Sequence, residues 1–154
     1  MEHKSVGGVE RVMLYPADAV TSALFSSEGC EVEFASAPLE VELLDDASHY
    51  EEVSECAGGA SRVTHQLHLV AERGEAEKWL ETNFLEAISI DGAVAKVVLA
   101  DGRALLVGYS QRFGDEQPLR LERLISTSGT TLHDRPTITL RLVSHDTEFS
   151  NEII

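Results

Sequence analysis

Histidines, cysteines and carboxylates are the side chains in this sequence that could hold a metal or move a proton. Their tightest spacing is His65-x-x-His68 in RVTHQLHLV. On a strand, residues three apart point to opposite faces, so these two imidazoles cannot close on one ion without a bulge. A zinc site also needs three or four convergent ligands. The spacing predicts one histidine in the core or at an interface and the other exposed. His49, Glu51, Glu52, Glu55 and Cys56 crowd DDASHYEEVSECAGGAS. They match neither the calcium loop D-x-[DN]-x-[DN]-G nor a zinc pattern, and they read as a solvated acidic loop. Gly108-Tyr109-Ser110-Gln111-Arg112 follows a strand but lacks the second glycine of G-x-S-x-G, and no helix is predicted after it. Gly7-Gly8 and Gly58-Gly59 lack the Lys and Ser/Thr of a phosphate loop. The expectation is a non-enzymatic chain with no catalytic residue, no metal and no cofactor.

Charge points the same way. Twelve Lys/Arg against 27 Asp/Glu give −15 at pH 7 over 154 residues, which argues against a surface built to grip a phosphate backbone. The imbalance is local: Val12 to Ser61 holds 11 carboxylates and no Lys or Arg. Within it, Cys30–Ala35 (CEVEFA) and Leu39–Leu43 (LEVEL) alternate strictly. Cys30, Val32, Phe34, Leu39, Val41 and Leu43 share one side; Glu31, Glu33, Glu40 and Glu42 take the other. The short link Ser36-Ala37-Pro38 suits a hairpin, although Pro38 weakens it. Such a hairpin sets four like charges side by side. It predicts either a plain solvated face or a face bordering an aqueous space where negative charge is useful.

The elements that position these residues are mostly strands. Residues 1–8 read as a flexible arm and Val9–Tyr15 as a first strand. Ala17–Gly29 stays open between a helical turn and a bent strand. Asp45–Ser61 has no strong period and reads as a long acidic loop or an extended hairpin arm; such excursions are often functional. Its residues Asp45, Asp46, His49, Tyr50, Glu51, Glu52, Val53 and Glu55 are the expected assembly contacts. Arg62–Val70 is a strand with Val63, His65, Leu67 and Leu69 on one face. Asp91-Gly92 and Asp101-Gly102 are turn dipeptides flanking Val94–Leu99, with Arg103–Tyr109 pairing back. Leu119–Ile125 and Thr137–Ser144 are strands joined by Ser126–Pro136.

One segment has a helical period. In Ala71–Ile88, Ala76, Trp79, Leu80, Phe84, Ala87 and Ile88 form a single apolar stripe. Trp79, Leu80 and Phe84 must pack it on the β core. The fold expected is one mainly β domain over residues 1–154: an antiparallel β-sandwich or partly closed barrel with one principal flanking α-helix. The two cysteines make no disulfide framework, MEHKSVGG has no apolar leader, and no run is long enough to span a membrane. The expectation is a chain made in the cytoplasm with two free thiols.

This order of a strand, an acidic strand pair, a long excursion, a strand, a helix and a strand-rich second half resembles the tail-tube and tail-terminator proteins of long-tailed bacteriophages. Within Asp101–Thr147, Gly108-Tyr109, Pro118-Leu119-Arg120-Leu121, Ser128-Gly129-Thr130 and Pro136-Thr137-Ile138-Thr139-Leu140 resemble small structural proteins of prophage tail modules. The resemblance implies a self-assembling virion protein of a tube, terminator or neck, forming a homo-oligomeric ring, usually hexameric. It implies other tail or neck proteins as neighbours, and an acidic face of Glu31, Glu33, Glu40 and Glu42 lining a conduit through which DNA passes without adhering. The alternative from another class is a monomeric small-ligand-binding β-barrel or accessory binding domain.

Overall fold

The computed structural model describes residues 8–44, 47–58, 60–128 and 135–154. Among them, eleven strands form two antiparallel sheets and a ribbon. The strands are β1 Val9–Pro16, β2 Val20–Ser26, β3 Gly29–Phe34, β4 Leu39–Glu40, β5 His49–Ala57, β6 Ala60–Glu72, β7 Ala93–Leu99, β8 Ala104–Val107, β9 Arg120–Thr127, β10 Thr137–Asp146 and β11 Asn151–Glu152. A five-stranded sheet has the order β11-β8-β7-β1-β4, and a four-stranded sheet the order β5-β6-β10-β9. The two-stranded ribbon is β2-β3. The chain is a mainly β, antiparallel, sandwich-like fold, and neither sheet closes into a barrel.

The alternation read from sequence sets the layers. Leu67 and Leu69 of β6, and Ile138, Leu140 and Leu142 of β10, face Val12, Leu14, Ala95 and Val97 across the main core. A second cluster of Ala17, Cys30, Val94 and Leu106 lies on the opposite face of the five-stranded sheet, where Phe25, Val32 and Phe34 of the ribbon cover it. β7 (AVAKVVL) is therefore buried on both faces, with Ala93 to Ala95 and Val97 at 0% exposure. A near-continuous apolar run is what a strand between two covering layers needs. Ribbon and four-stranded sheet are the outer layers, and their outward faces point in opposite directions.

Two expectations are corrected, and two that stood open are decided. Cys30–Ala35 and Leu39–Leu43 do not pair with each other: β3 pairs with β2, and β4 pairs with β1 through Met13↔Glu40 and Leu14↔Leu39. The Phe34 ring stacks on Tyr15 at 3.6 Å, and Pro38 offers no N–H to a hairpin ladder. The chain instead crosses from the ribbon to the edge of the five-stranded sheet. Second, much of 45–61 is regular. β5 pairs along its whole length with β6, from His49↔His68 to Ala57↔Ala60, so the hairpin-arm alternative describes it. Asp45 and Asp46 lie outside the described residues, as does most of the expected arm 1–8.

Third, the apolar stripe does not ride on one helix. β6 runs to Glu72, because Ala71 still pairs with Ile138 and is fully buried. One α-turn, α1 Arg73–Ala76, and a 3₁₀ turn, Glu77–Leu80, follow. Glu81 is extended (φ −62°, ψ 130°), and α2 Thr82–Ile90 then starts afresh. Ala76, Trp79 and Ile88 are buried, while Leu80, Phe84 and Leu85 are partly buried against the same core. Fourth, Ala17–Gly29 divides between its two readings: a 3₁₀ turn at Ala17–Ala19 and the strand β2.

Candidate functional site

The four glutamates of the expected acidic face stand in two places. Glu31 and Glu33 are exposed on the outward side of the ribbon, across from Leu24 and Ser22. With Glu28 and Asp18 nearby in sequence, this layer carries carboxylates and no Lys or Arg. Glu40 and Glu42 instead line an open groove of about 530 Å³ with Glu10, Arg11, Glu75 and Lys78, between the β4 edge and α1. There Arg11 Nε and Nη2 donate to Glu40 at 2.6 and 3.0 Å. That hydrogen bond, with the charges of Arg11 and Lys78, holds the Glu40 carboxyl below its ordinary range despite some burial. Of the four, Glu40 is thus balanced by cations, whereas Glu31 and Glu33 stand on a layer without them.

The expected assembly residues of β5 also separate by face. Tyr50 and Glu52 point inward; His49, Glu51, Val53 and Glu55 take the outward positions of the pairing. Inward, Tyr50 Oη lies 2.6 Å from His65 Nδ1, 2.7 Å from Glu52 Oε1 and 3.0 Å from Ser150 Oγ. His65 Nε2 sits 3.0 Å from the Glu148 carbonyl and donates to it, while Tyr50 gives its one hydroxyl proton to Glu52. Ser150 donates both its backbone N–H and its hydroxyl to Glu52. Burial, reinforced by the Glu52 charge, pushes the Tyr50 hydroxyl far above its usual range, so it stays protonated.

The bonds of this cluster that leave the β5–β6 hairpin end on Glu148 and Ser150, in the connection from β10 to β11. The arrangement ties the last strand's approach to the β5–β6 hairpin. It offers a tyrosine, a histidine, a carboxylate and a serine, but the serine proton goes to Glu52 rather than to a histidine, so the order of a nucleophile–base pair is absent. A cavity of about 10 Å³ borders it, lined by His65, Tyr109, Ser110, Ser144, Asp146 and Glu148 among others; this is room for one water. Ser110 itself accepts the Phe113 N–H at 3.1 Å and closes a turn.

His65 and His68 do point to opposite faces. His65 is 4% exposed in the interior. His68 is on the outward face, stacked at 4.9 Å on its cross-strand partner His49. Burial, then His49 and Arg141, lower the affinity of His68 for a proton. No group of three metal-ligating side chains converges among the described residues. Cys30 is buried, which raises its thiol pKa, and Cys56 is exposed; both are free.

Sequence reasoning missed two sets of residues and the placement of a third. Ser150 had no signal, being one hydroxyl near the end of the chain. Arg11 and Lys78 reach Glu40 from elements whose packing no local pattern announces. Arg120 and Arg123 belong with β5 only once both strands are seen as the two ends of one sheet, in the order β5-β6-β10-β9. β5 has nine residues and β9 eight, and neither contains proline. No backbone hydrogen bond among the described residues joins either to a strand outside its own sheet. No helix among the described residues is long and apolar enough to cross a membrane. No protein-family model, curated protein or solved structure matches the chain.

Proposed function

We propose that the chain is a non-enzymatic structural subunit that assembles with copies of itself, in the setting its layout resembles: a tail tube, terminator or neck ring of a phage or phage-derived particle. The observation that carries this reading is the four-stranded sheet, whose two end strands are long and pair with no further strand among the described residues. Natural folds blunt such edges when they work alone. The bare ribbon face of Glu28, Glu31 and Glu33 suits a wall past which DNA slides, since a carboxylate layer without cations repels phosphate. Neighbouring tail or neck proteins are the further partners of this reading, and DNA is cargo. Size exclusion with light scattering across protein concentration and moderate salt tests it. Rings or larger multiples of the chain are expected, and a single monomeric species at high concentration overturns the reading.

A second reading is favoured by the groove at Glu40 and Glu42, whose volume matches small-ligand clefts. In it the chain is a monomeric accessory domain taking a small organic cation. Titration with a diamine or polyamine under calorimetry separates the two: saturable heat that Glu42→Gln and Glu75→Gln abolish, in a chain that stays monomeric, supports this one.

A further inference from the structure

Two edges that pair with no further strand among the described residues raise the question of which edge meets which. β5 and β9 run antiparallel to each other, because three antiparallel junctions separate them in the sheet. Placing β9 of a second copy beside β5 of the first, in the same orientation, therefore makes another antiparallel junction. The sheet then continues from subunit to subunit. Such a head-to-tail contact leaves a free β9 and a free β5 at its ends, and it closes into a ring or grows as a filament.

Charge decides between this contact and the two self-pairings. The outward-facing positions of β5 carry His49, Glu51, Val53 and Glu55; those of β9 carry Arg120, Arg123, Ile125 and Thr127. β5 against β5 sets glutamates near glutamates, and β9 against β9 sets arginines near arginines, both unfavourable across a strand pair. β5 against β9 sets opposite charges together. Neither Arg120 nor Arg123 makes an ion pair among the described residues.

Register follows from the irregularity in β9. The pairing with β10 shifts between Arg141↔Arg123 and Leu142↔Leu121, so Glu122 is an extra residue there and Arg123–Thr127 is the regular stretch. Five regular residues can meet Glu51–Glu55. In that register Val53 lies opposite Ile125, an apolar side chain left 38% exposed. The same register puts Glu55 opposite Arg123 and Glu51 opposite Thr127. Side chains that leave solvent and charges that find a partner coincide in one alignment.

We propose, resting on the self-assembly reading above, that the partner is a second copy of this chain, bound through Glu51–Glu55 of β5 against Arg123–Thr127 of β9. Charge reversal tests it. Glu55→Arg leaves two arginine-bearing edges on one chain, and Arg123→Glu leaves two glutamate-bearing edges. Both positions are exposed, so each variant should keep the wild-type melting curve and stay monomeric at concentrations where the wild type assembles. Mixing the two variants, or combining both changes in one chain, should restore assembly. A cysteine pair reads the register directly. In a Cys56→Ser background, Val53→Cys with Ile125→Cys should give a ladder of disulfide-linked multiples on mild oxidation, and Val53→Cys alone should not progress beyond dimers. If both single reversals assemble like the wild type, or the cysteine pair gives no ladder while the chain assembles, the edge contact is overturned and self-assembly stands. If the wild type is monomeric throughout, the self-assembly reading itself fails.

Discussion

On the five-stranded sheet, the end strands β4 and β11 are two residues long, and one face lies beneath a ribbon. On the four-stranded sheet, the end strands are nine and eight residues long, and the outward face is mostly polar and partly to fully exposed among the described residues. The two sheets share one core, yet one is finished and the other is not. The closed sheet spends its sequence on apolar residues at both faces of β7. The open sheet places histidines, arginines and glutamates outward, where they add nothing to the core. A sheet left with long polar edges and a wet face has surface to offer a partner, and this difference, more than any side-chain constellation, points to function.

The largest test concerns the core that both sheets share. Trp79 is 1% exposed and anchors the broken helical segment in it. Trp79→Ala should cost about 3–5 kcal/mol. A denaturation midpoint within error of wild type would show that the segment is ornament and that the two sheets pack without it.

Next in size is one substitution made on each side of the comparison. Gly108 follows β8 on the closed side with φ +90°, and an added Cβ there would sit 2.7 Å from the Ala93 carbonyl oxygen and 3.0 Å from the Leu119 nitrogen. Gly58, at the tip of the β5–β6 hairpin, has φ +59° and nothing within 4 Å of an added Cβ. Gly58→Ala should cost about 1 kcal/mol, the left-handed penalty alone. Gly108→Ala should cost clearly more, because backbone must move as well. Equal losses at the two glycines would mean that the closed sheet is no tighter than the open one.

Much of this contrast was legible in the sequence, and the rest was hidden for physical reasons. Alternation placed β6, with Val63, His65, Leu67 and Leu69 inward, and the Asp101-Gly102 turn placed the β7–β8 pair. Alternation fixes faces, however, and not partners. It could not show that β3 goes to the ribbon while β4 goes to the edge of a different sheet. β5 escaped because Glu52 points inward to Tyr50 and Ser150, so the apolar rhythm fails where the strand is most specifically held. The stripe over 71–88 named buried residues but not the break at Glu81. A chain that turns at Glu81 and resumes at α2 can present the same apolar side chains as one continuous helix.

Tyr50 gives a pH test of the latch on the open sheet. Its hydroxyl pKa is raised in the fold by burial, so the folded state favours the protonated form. Stability from this group is complete below the ordinary tyrosine pKa of about 10 and falls as pH rises beyond it. Tyr50→Phe should lose about 1–3 kcal/mol at neutral pH, because Glu52 and His65 each lose a partner. It should also flatten the alkaline decline, leaving the part due to Tyr15, which burial and Glu40 raise in the same direction. An unchanged alkaline slope in the variant would place the Tyr50 hydroxyl in water rather than in the latch.

The smallest effect separates the two halves of the acidic face. Glu31 and Glu33 lie two residues apart on the ribbon's outward side with no cation on that layer, while Glu40 takes two hydrogen bonds from Arg11. The same Glu→Gln change should therefore have opposite signs at the two places. Removing the ribbon pair relieves a repulsion screened over about 8–10 Å at ordinary salt. The double variant Glu31→Gln, Glu33→Gln should be as stable as wild type or slightly more so, with less gain on adding salt. Glu40→Gln breaks a pair that is partly exposed, so its cost should stay within about 1 kcal/mol. Because the Glu40 pKa is lowered in the fold, that contribution is present above the ordinary carboxyl range and fades as pH falls through its folded value. Melting midpoints at neutral and acid pH, each at two salt concentrations, distinguish these signs. If the ribbon variant is destabilised and salt does not compensate, Glu31 and Glu33 are holding structure. They then cannot be the free repulsive wall that the conduit reading needs.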